Sequence, residues 1–155
     1  MDIISNRTKE IAAMALDGLN ERAKAISANT VNVLTPNYQR KEVSFESSLR
    51  NIIEREDEKE QMKLQNSVNY QQNPKKVLEG KSPAELAFLS THIDEGFSID
   101  VENDMADPDG LDGNNVNLER EMMDEARNGM QYQVVANLLS KSYSMLGTII
   151  KGQNQ

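Results

Sequence analysis

The two ends of this chain each have the spacing of an amphipathic helix, whereas the residues between them are polar, acidic and rich in helix-breaking types. Near the N-terminus, apolar and small residues recur at helical intervals and so share one face: Ile4, Ile11, Met14, Ala15, Gly18, Leu19, Ala25 and Ile26. This spacing predicts a helix from about Asp2 to about Val33. Gly18 costs about 1 kcal/mol relative to Ala inside a helix, a cost that is reasonable where another helix packs closely. A helix with one apolar face must bury that face, so the pattern indicates pairing with the other terminus and assembly with neighbouring subunits.

A long helix with a wide apolar surface is predicted at the C-terminus. Asn117 can cap its start, and Glu119 and Glu121 complement the positive end of the helix dipole. One row of side chains repeats every seven residues and alternates large with small: Met122, Gly129, Ala136, Tyr143 and Ile150. A second apolar row widens this surface: Met123, Met130, Val135, Leu138, Leu139, Leu146 and Ile149. Covering both rows requires more than one neighbouring helix.

The middle of the chain predicts short elements rather than a second large core. Ser44 is placed to cap a helix that frays into the charged run at 54–60. Alternating apolar residues predict one strand over Met62–Tyr70 and another over Phe97–Val101, and a capping box at Ser82 predicts a short helix through Leu89.

These elements give a mainly α fold, with long N- and C-terminal helices pairing as a coiled coil and a small irregular, partly β middle region. The predicted division is a terminal helix at 1–34, a turn and second amphipathic helix at 35–62, a polar acidic region with short strands at 63–112, and a terminal helix at 113–151.

Composition excludes several classes of function. The net charge is −8, and Lys and Arg are absent from Ser82 to Glu119, so the basic face that nucleic acid requires is missing. The chain has no cysteine, which excludes disulfides and thiolate metal sites. We expect no cleaved signal peptide, because the N-terminus lacks a basic region followed by an apolar run. No stretch approaches the length of a membrane span, so direct membrane insertion is not expected.

Two segments carry residue types that could form a chemical site. Asp107, Asp109 and Asp112 could supply calcium ligands, but the helix-loop-helix calcium motif needs residue types that the following positions lack, so a structural turn is favoured. His92 is the only histidine, and no nucleophile motif accompanies it, so a surface or structural histidine is favoured over a catalytic one. Phosphate-binding glycine loops and zinc spacings are absent as well. We therefore predict no catalytic, cofactor-binding or metal-binding residues, and no enzymatic activity.

A strong stop signal follows the first helix. Pro36 disfavours helical geometry for the residue before it, and Asn37 is suited to the left-handed conformation in the turn. The surrounding segment, residues 28–41, resembles the N-terminal signature of bacterial flagellar rod and hook proteins, whose general form is Ala-Asn-x-x-Asn-x-x-Thr-Pro-Gly-Tyr-x-Arg. Asn37 stands where that family has glycine, a mild replacement because Asn tolerates positive φ. The matching residues are Ala28, Asn29, Asn32, Thr35, Pro36, Tyr38 and Arg40.

A second segment resembles the proximal rod proteins of this family more narrowly. It opens the last helix and comprises Asp112, Gly113, Asn114, Asn115 and Val116, with Tyr132 further along the chain. We take these residues, those of the first segment and the close-packing position Gly129 as an assembly motif.

The resemblance implies a structural subunit of the flagellar basal-body rod that polymerises through its terminal helices to form a drive shaft and export conduit. It further implies export from the cytoplasm through the flagellar type III apparatus without signal cleavage, and residence in the periplasm-spanning rod. The implied partners are copies of the chain, other rod subunits, basal-body ring or adaptor proteins and export-gate proteins. An alternative from another class is a soluble helical adaptor or exported effector that binds one partner through its amphipathic helices.

Overall fold

The first helix, α1, extends over Asn6–Val31 in a computed structural model of the protein, which describes residues 6–72, 88, 92–104 and 112–152. The chain divides into two compact units, one formed by residues 1–46 with 98–155 and the other by residues 47–97. The buried face of α1 follows the predicted spacing and consists of Met14, Gly18, Leu19, Ala25, Ile26 and Asn29.

A two-stranded antiparallel sheet follows in the first unit. Strand β1 comprises Lys41–Ser44 and strand β2 comprises Asp100–Asn103, paired with Val43 opposite Val101. The strand predicted over Phe97–Val101 overlaps β2 only at Asp100 and Val101, because Phe97 and Ile99 precede the strand and it continues to Asn103. Ser44 lies in β1 rather than capping a helix, and the next helix begins at Glu46.

Phe45, directly after β1, connects the sheet to α1. Its side chain is 3% exposed, and a Cβ at Gly18 would lie 2.4 to 2.6 Å from atoms of its ring. The guanidinium of Arg22, one turn further along α1, lies 4.8 Å from the centre of the same ring. The close approach expected at Gly18 is therefore real, and the atoms nearest to this position belong to an aromatic ring rather than to another helix.

The second helix, α2, extends over Glu46–Gln72 without a break. The predicted strand over Met62–Tyr70 is wrong. The run at 54–60 is composed of strong helix formers and Asp57, and its Glu56–Lys59 pair, with N···O of 2.6 Å, joins side chains one helical turn apart. Leu64 and Val68 are four residues apart, so their spacing fits a helix as well as it fits a strand.

In the second unit, α2 holds the turn at 92–97. The Arg55 guanidinium donates to the carbonyl oxygens of His92, Ile93 and Glu95 at 3.2, 2.8 and 2.5 Å. Ser48 donates to the carbonyl of Gly96 at 3.2 Å. The helix predicted at Ser82–Leu89 lies outside the described residues, apart from Phe88.

The last helix, α3, extends over Leu118–Gly152 and packs against α1. The predicted cap is confirmed, because the Asn117 side chain accepts a hydrogen bond from the backbone N–H of Arg120 at 3.1 Å. The prediction of a mainly α fold with two long terminal helices packed together and a small β element between them is therefore confirmed.

Candidate functional site

The turn after α1 has the conformation that its sequence predicts. The N–H of Thr35 donates to the carbonyl of Asn32 at 2.9 Å, and the N–H of Tyr38 donates to that of Thr35 at 3.3 Å. Asn37 has a φ of 58°, and among the described residues it is the only non-glycine residue with a positive φ. The left-handed conformation predicted for Asn37 is thus confirmed, and Pro36 sits exposed at the apex.

This turn contacts the second motif directly. The N–H of Asn37 donates to the carbonyl of Asp112 at 2.9 Å. Gly113 has a φ of 76°, and a Cβ there would lie 2.7 Å from the side-chain oxygen of Asn37. A side chain at Gly113 would therefore be excluded both by its backbone conformation and by Asn37.

Asn114 caps the C-terminus of α1 from the far end of the chain. Its amide nitrogen lies 2.9, 3.1 and 2.9 Å from the carbonyl oxygens of Asn32, Val33 and Thr35. Its amide oxygen accepts from the N–H of Val116 at 2.8 Å. These carbonyls belong to the turn that directly follows α1, so Asn114 ties this turn to the second motif.

Asn29 joins α1 to β1 and to α3. It is fully buried, and its amide exchanges two hydrogen bonds of 2.8 Å with the backbone of Lys41, as a neighbouring strand would. Its nitrogen also donates to the Glu121 carboxylate at 3.0 Å, and its oxygen accepts from the Tyr38 hydroxyl at 3.2 Å. Burial and the negative charge of Glu121 both raise the pKa of Tyr38, which keeps its hydroxyl protonated as a donor.

Arg40 is the charged centre of this junction. Its guanidinium donates to Glu121 at 2.6 Å, to Asp104 at 3.2 Å and to Asp124 at 3.1 Å. Arg40 is 4% exposed and Glu121 is fully buried. Burial lowers the pKa of Arg40, but the hydrogen bond and charge of Glu121, the charge of Glu42 and the hydrogen bond to Asp104 together raise it by more, so its pKa lies above the ordinary value.

Asn115 completes the same cluster through the backbone. Its side-chain oxygen accepts from the N–H of Arg40 at 2.6 Å, and its nitrogen donates to the carbonyl of Asp104 at 2.8 Å. Removing one member of a buried ion pair is costly because the other charge is left without compensation. The cluster therefore favours one arrangement of the N-terminal motif, β2 and the start of α3. We call the residues of this network the motif junction: Asn29, Asn32, Thr35, Asn37, Tyr38, Arg40, Asp104, Asp112, Gly113, Asn114, Asn115, Val116, Glu121 and Asp124.

Most residues predicted for the assembly motif meet at this junction. Pro36 is exposed at the apex of the turn, and Gly129 and Tyr132 lie away from the junction. Both lie on α3 beyond it, where Gly129 is exposed and Tyr132 is 46% exposed. Sequence reasoning assigned Glu121 only to the helix dipole and did not single out Asp104 or Asp124. Glu121 and Asp124 are one helical turn apart, a spacing that could have suggested a shared cationic partner.

The buried positions of α3 are polar, and many of its large apolar side chains are exposed. Asn128 is 5% exposed and donates to the carbonyl of Leu19 on α1 at 2.9 Å. The Asn128 side-chain oxygen and the Ser142 hydroxyl are buried without a hydrogen-bond partner among the described residues. Among the α3 side chains that the structure describes beyond the first turn, seven large apolar ones are instead 46 to 63% exposed: Met122, Met123, Met130, Tyr132, Val134, Leu138 and Tyr143.

The predicted seven-residue row therefore does not form the buried face of α3 within one chain. Met122, Gly129 and Tyr143 from that row are exposed, and no neighbouring atom lies within 4 Å of a Cβ built at Gly129. The buried positions are instead Glu121, Asn128 and Ser142, because the junction fixes the rotation of α3 through Glu121. A row spaced for packing is thus available to another molecule.

The described residues do not form a recognisable metal-binding site. They contain no group of three or more His, Asp or Glu side chains arranged to hold one. Asp107 and Asp109 of the possible calcium loop lie outside the described residues, and Asp112 serves the junction. His92 lies at the surface with its ring nitrogen 2.6 Å from an oxygen of Asp94. No helix in the described part of the chain is both long and apolar enough to cross a membrane.

Comparison with known proteins gives similar relatives along nearly the whole chain. The flagellar basal body rod protein FlgB of Borreliella burgdorferi is 27% identical over 146 residues, which cover 94% of this chain and 96% of that protein. FlgB of Escherichia coli is 26% identical over 140 residues, 90% of each chain. FlgB of Bacillus subtilis is 27% identical over 139 residues, 89% of this chain and 88% of that protein. No family model matches. The resemblance found in the two motifs is confirmed and extends into the middle of the chain.

Proposed function

We propose that this chain, a relative of the flagellar basal body rod proteins named FlgB, is itself a structural subunit of the bacterial flagellar rod. It polymerises through α1 and α3 and contributes to a shaft and conduit, with copies of itself, other rod subunits, and ring or export-gate proteins as partners. It reaches the basal body from the cytoplasm by flagellar type III export, without a cleaved signal. Its role is structural and not catalytic.

The exposed apolar surface of α3 is the observation that carries this proposal. A monomer rarely exposes several large apolar side chains along one helix unless a partner covers them. Met130 and Leu138 are 61 and 63% exposed, and each side chain of this kind contributes about 1.5–3 kcal/mol when it becomes fully buried. Burial against neighbours therefore supplies a driving force that the isolated chain does not use.

The motif junction supports the same function in a different way. It ties the end of α1 to the start of α3 through Asn114 and Arg40, so the two helices leave it in a fixed relation. A subunit that repeats in a rod must present its contact surfaces in one geometry, because any variation accumulates along the assembly. The junction fixes that geometry while the outer faces of both helices remain available.

The α1 helix also has an exposed apolar end. Val31 and Leu34 are 79 and 88% exposed at and just beyond its last turn. They precede the Pro36 turn and lie outside the buried contacts of the motif junction. A neighbouring subunit that covers them would contact the region where the two motifs meet.

Deletion of the coding sequence followed by imaging of basal bodies tests the proposal. Loss of the rod with intact inner rings, restored by the wild-type gene, is the expected result. Complete rods in the deletion strain would contradict the proposal and favour a helical adaptor that binds a single partner.

Complementation with surface variants then tests the role of α3. Met130→Glu together with Leu138→Glu should abolish rod formation, whereas Gln133→Glu together with Asn137→Asp adds the same charge to exposed polar positions and should preserve it. Circular dichroism of the purified chains should give similar helicity for both pairs, since all four positions are exposed. Equal motility with both pairs would contradict the assignment of the apolar face to assembly.

A further inference from the structure

The β1–β2 sheet has two edges, and the register determines which backbone groups point to each. The N–H of Asp104 donates to the carbonyl of Arg40 at 2.7 Å, and Glu42 lies opposite Glu102. In an antiparallel ladder, directly opposed residues alternate between pairs that exchange hydrogen bonds and pairs that do not. The backbone N–H and C=O groups of Glu42 and the C=O of Arg40 therefore point toward β2. The backbone groups of Lys41 and Val43 on β1, and of Val101 and Asn103 on β2, point outward from the sheet.

The outer edge of β1 is already occupied by side chains of α1. Asn29 exchanges two hydrogen bonds of 2.8 Å with the backbone of Lys41. Arg22 donates to the carbonyl of Val43 from Nε at 3.2 Å and from Nη2 at 3.0 Å. A further strand cannot add on this side without displacing α1.

The outer edge of β2 is open within the ranges that the structure describes. No described residue is hydrogen-bonded to the outward N–H and C=O groups of Val101 and Asn103. Every side chain of β2 is exposed. An open row of backbone donors and acceptors is a template for pairing with another strand.

The two faces of β2 define the chemistry that such a strand needs. One face bears Asp100 and Glu102, around a depression of about 350 Å³ that Glu42 and Asp104 also line. Glu42 and Asp104 pair with Arg40 at 3.6 and 3.2 Å, so the negative charge offered to a partner strand is mainly that of Asp100 and Glu102. Glu42 lies directly opposite Glu102, and like charges in that position are destabilising. The other face presents Val101, which is 55% exposed, opposite Val43, which is 4% exposed.

We propose that the outer edge of β2 binds an extended segment of a partner protein in which basic side chains alternate with apolar ones. Side chains of a strand alternate between faces, so the basic residues would lie over the acidic face and the apolar ones would cover Val101. The backbone of the segment would pair with Val101 and Asn103, as in recognition by strand addition. A second copy of β2 is disfavoured as the occupant, because it would bring Asp100 and Glu102 against an acidic face.

Charged residues on a short edge strand also occur simply to prevent aggregation. The two interpretations differ in one respect. Protection against aggregation requires that no strand binds, whereas recognition requires that a basic strand binds and an acidic one does not.

A model peptide distinguishes them. The probe is a blocked five-residue peptide in which lysine and valine alternate, and the control is the same peptide with glutamate in place of lysine. Amide hydrogen exchange of the full-length chain, followed by nuclear magnetic resonance, should slow by about tenfold or more at Val101 and Asn103 with the lysine peptide. The glutamate peptide should leave these amides unchanged, and added salt should weaken the effect.

Two proline variants provide matched controls on the chain itself. Val101→Pro removes an N–H that the β1–β2 ladder does not use, so the fold should persist and peptide protection at Asn103 should be lost. Glu102→Pro removes an N–H within the ladder and should disrupt the sheet even without peptide. Unchanged peptide binding by Val101→Pro would overturn the proposal.

A charge-reversed variant keeps the test decisive if the proline variant does not fold. Asp100→Lys with Glu102→Lys should lose binding of the lysine peptide and gain binding of the glutamate peptide. Absence of protection with either peptide on the wild-type chain, or protection confined to α3, would overturn the inference. Because this readout needs no rod, it can fail while the proposed rod function stands.

Discussion

At the scale of single residues, Asn37 combines a backbone requirement with a contact to the other end of the chain. Its φ of 58° suits Asn and Gly, whereas a β-branched residue is strained there by about 1–3 kcal/mol. Its N–H bond to Asp112 is available to any residue except proline. The conformation at this position, more than the side chain, therefore maintains the contact between the motifs.

Asn37→Gly should accordingly be nearly silent in motility and in thermal stability. Asn37→Val should impair motility and lower the free energy of unfolding by about the cost of that strained conformation. Motility in soft agar and thermal unfolding of the purified chains measure the two effects. If valine and glycine behave alike in both assays, the left-handed turn is not required.

Arg40 and Glu121 show how a buried charge pair specifies an arrangement. Arg40→Met leaves Glu121 fully buried with its Asn29 contact but without its cation, and removal of one member of such a pair costs about 3–5 kcal/mol. Glu121→Met alone leaves Arg40 with Asp104 and Asp124 and should cost less. Replacing both should cost less than the sum of the single changes.

A double-mutant cycle from urea unfolding gives the coupling energy of this pair. Arg120→Met serves as the control, because Arg120 is half exposed and lies 3.5 Å from Asp104 at the rim of the cluster. Strictly additive effects of Arg40→Met and Glu121→Met would show that the pair does not act as a unit.

At the scale of elements, the terminal helices, the end of α1 and the start of α3 followed from local sequence, whereas the predicted start at Asp2 lies outside the described residues. The spacing from Met14 to Ile26 and the cap at Asn117 depend only on residues close together in the sequence, and both are present in the folded chain. The sequence around β1 did not predict a strand, because β1 pairs with β2, more than 50 residues away in the chain. That pairing depends on tertiary structure and not on neighbouring residues. The Arg40–Glu121 pair was missed for the same reason.

The predicted strand at Met62–Tyr70 failed for a different physical reason. Apolar residues four positions apart, such as Leu64 and Val68, satisfy a helical period as well as an alternating one. The charged run before them propagates a helix that has already begun at Glu46. Once nucleated, a helix extends at low cost through good helix formers, so the continuous helix prevails over a short isolated strand.

The contact between α1 and Phe45 offers a sharp test of element packing. Gly18→Ala favours the helix by about 1 kcal/mol through intrinsic propensity, but its Cβ would lie within 2.6 Å of a buried ring. Overpacking of this kind costs about 1–3 kcal/mol, so the variant should be less stable than the wild type. Phe45→Leu in the same chain should relieve part of that cost, as measured by thermal unfolding. A stabilised Gly18→Ala would show that the ring moves freely.

The link from α1 to the start of α2 should depend on pH. Burial raises the pKa of Glu46, but the hydrogen bonds from Arg22 and from the backbone N–H groups of Phe45 and Glu46, together with the charge of Arg22, lower it by more, so the pKa lies below its ordinary value. A carboxyl with a depressed folded-state pKa stabilises the fold above its unfolded pKa and loses that contribution as pH falls through the folded value. The difference in melting temperature between wild type and Glu46→Gln should therefore be present at pH 6 and shrink below about pH 4.5. A difference that is constant down to pH 3 would contradict the assignment.

At the scale of the whole molecule, α3 is divided between two tasks. Its inner face, with Glu121 and Asn128, holds the chain's own ends together. Its outer faces carry methionine, leucine and tyrosine side chains that the chain does not bury. Substitutions on the two faces should therefore affect different properties, namely folding of the subunit and formation of the assembly.

Gly129 separates these properties most cleanly. No neighbouring atom lies within 4 Å of a Cβ built there, so leucine meets no obstacle in the free chain and raises helix propensity by nearly 1 kcal/mol. Gly129→Leu should therefore leave the purified chain as helical and as stable as the wild type, or slightly more so. In the rod, where we propose that a neighbour packs closely on this row, the added side chain should hold the helices apart and block assembly. Circular dichroism of the purified chain and imaging of basal bodies from the variant strain measure the two effects. Gly129→Ala is the graded control and should assemble at least in part, whereas normal rods with leucine would place Gly129 outside the contact between subunits.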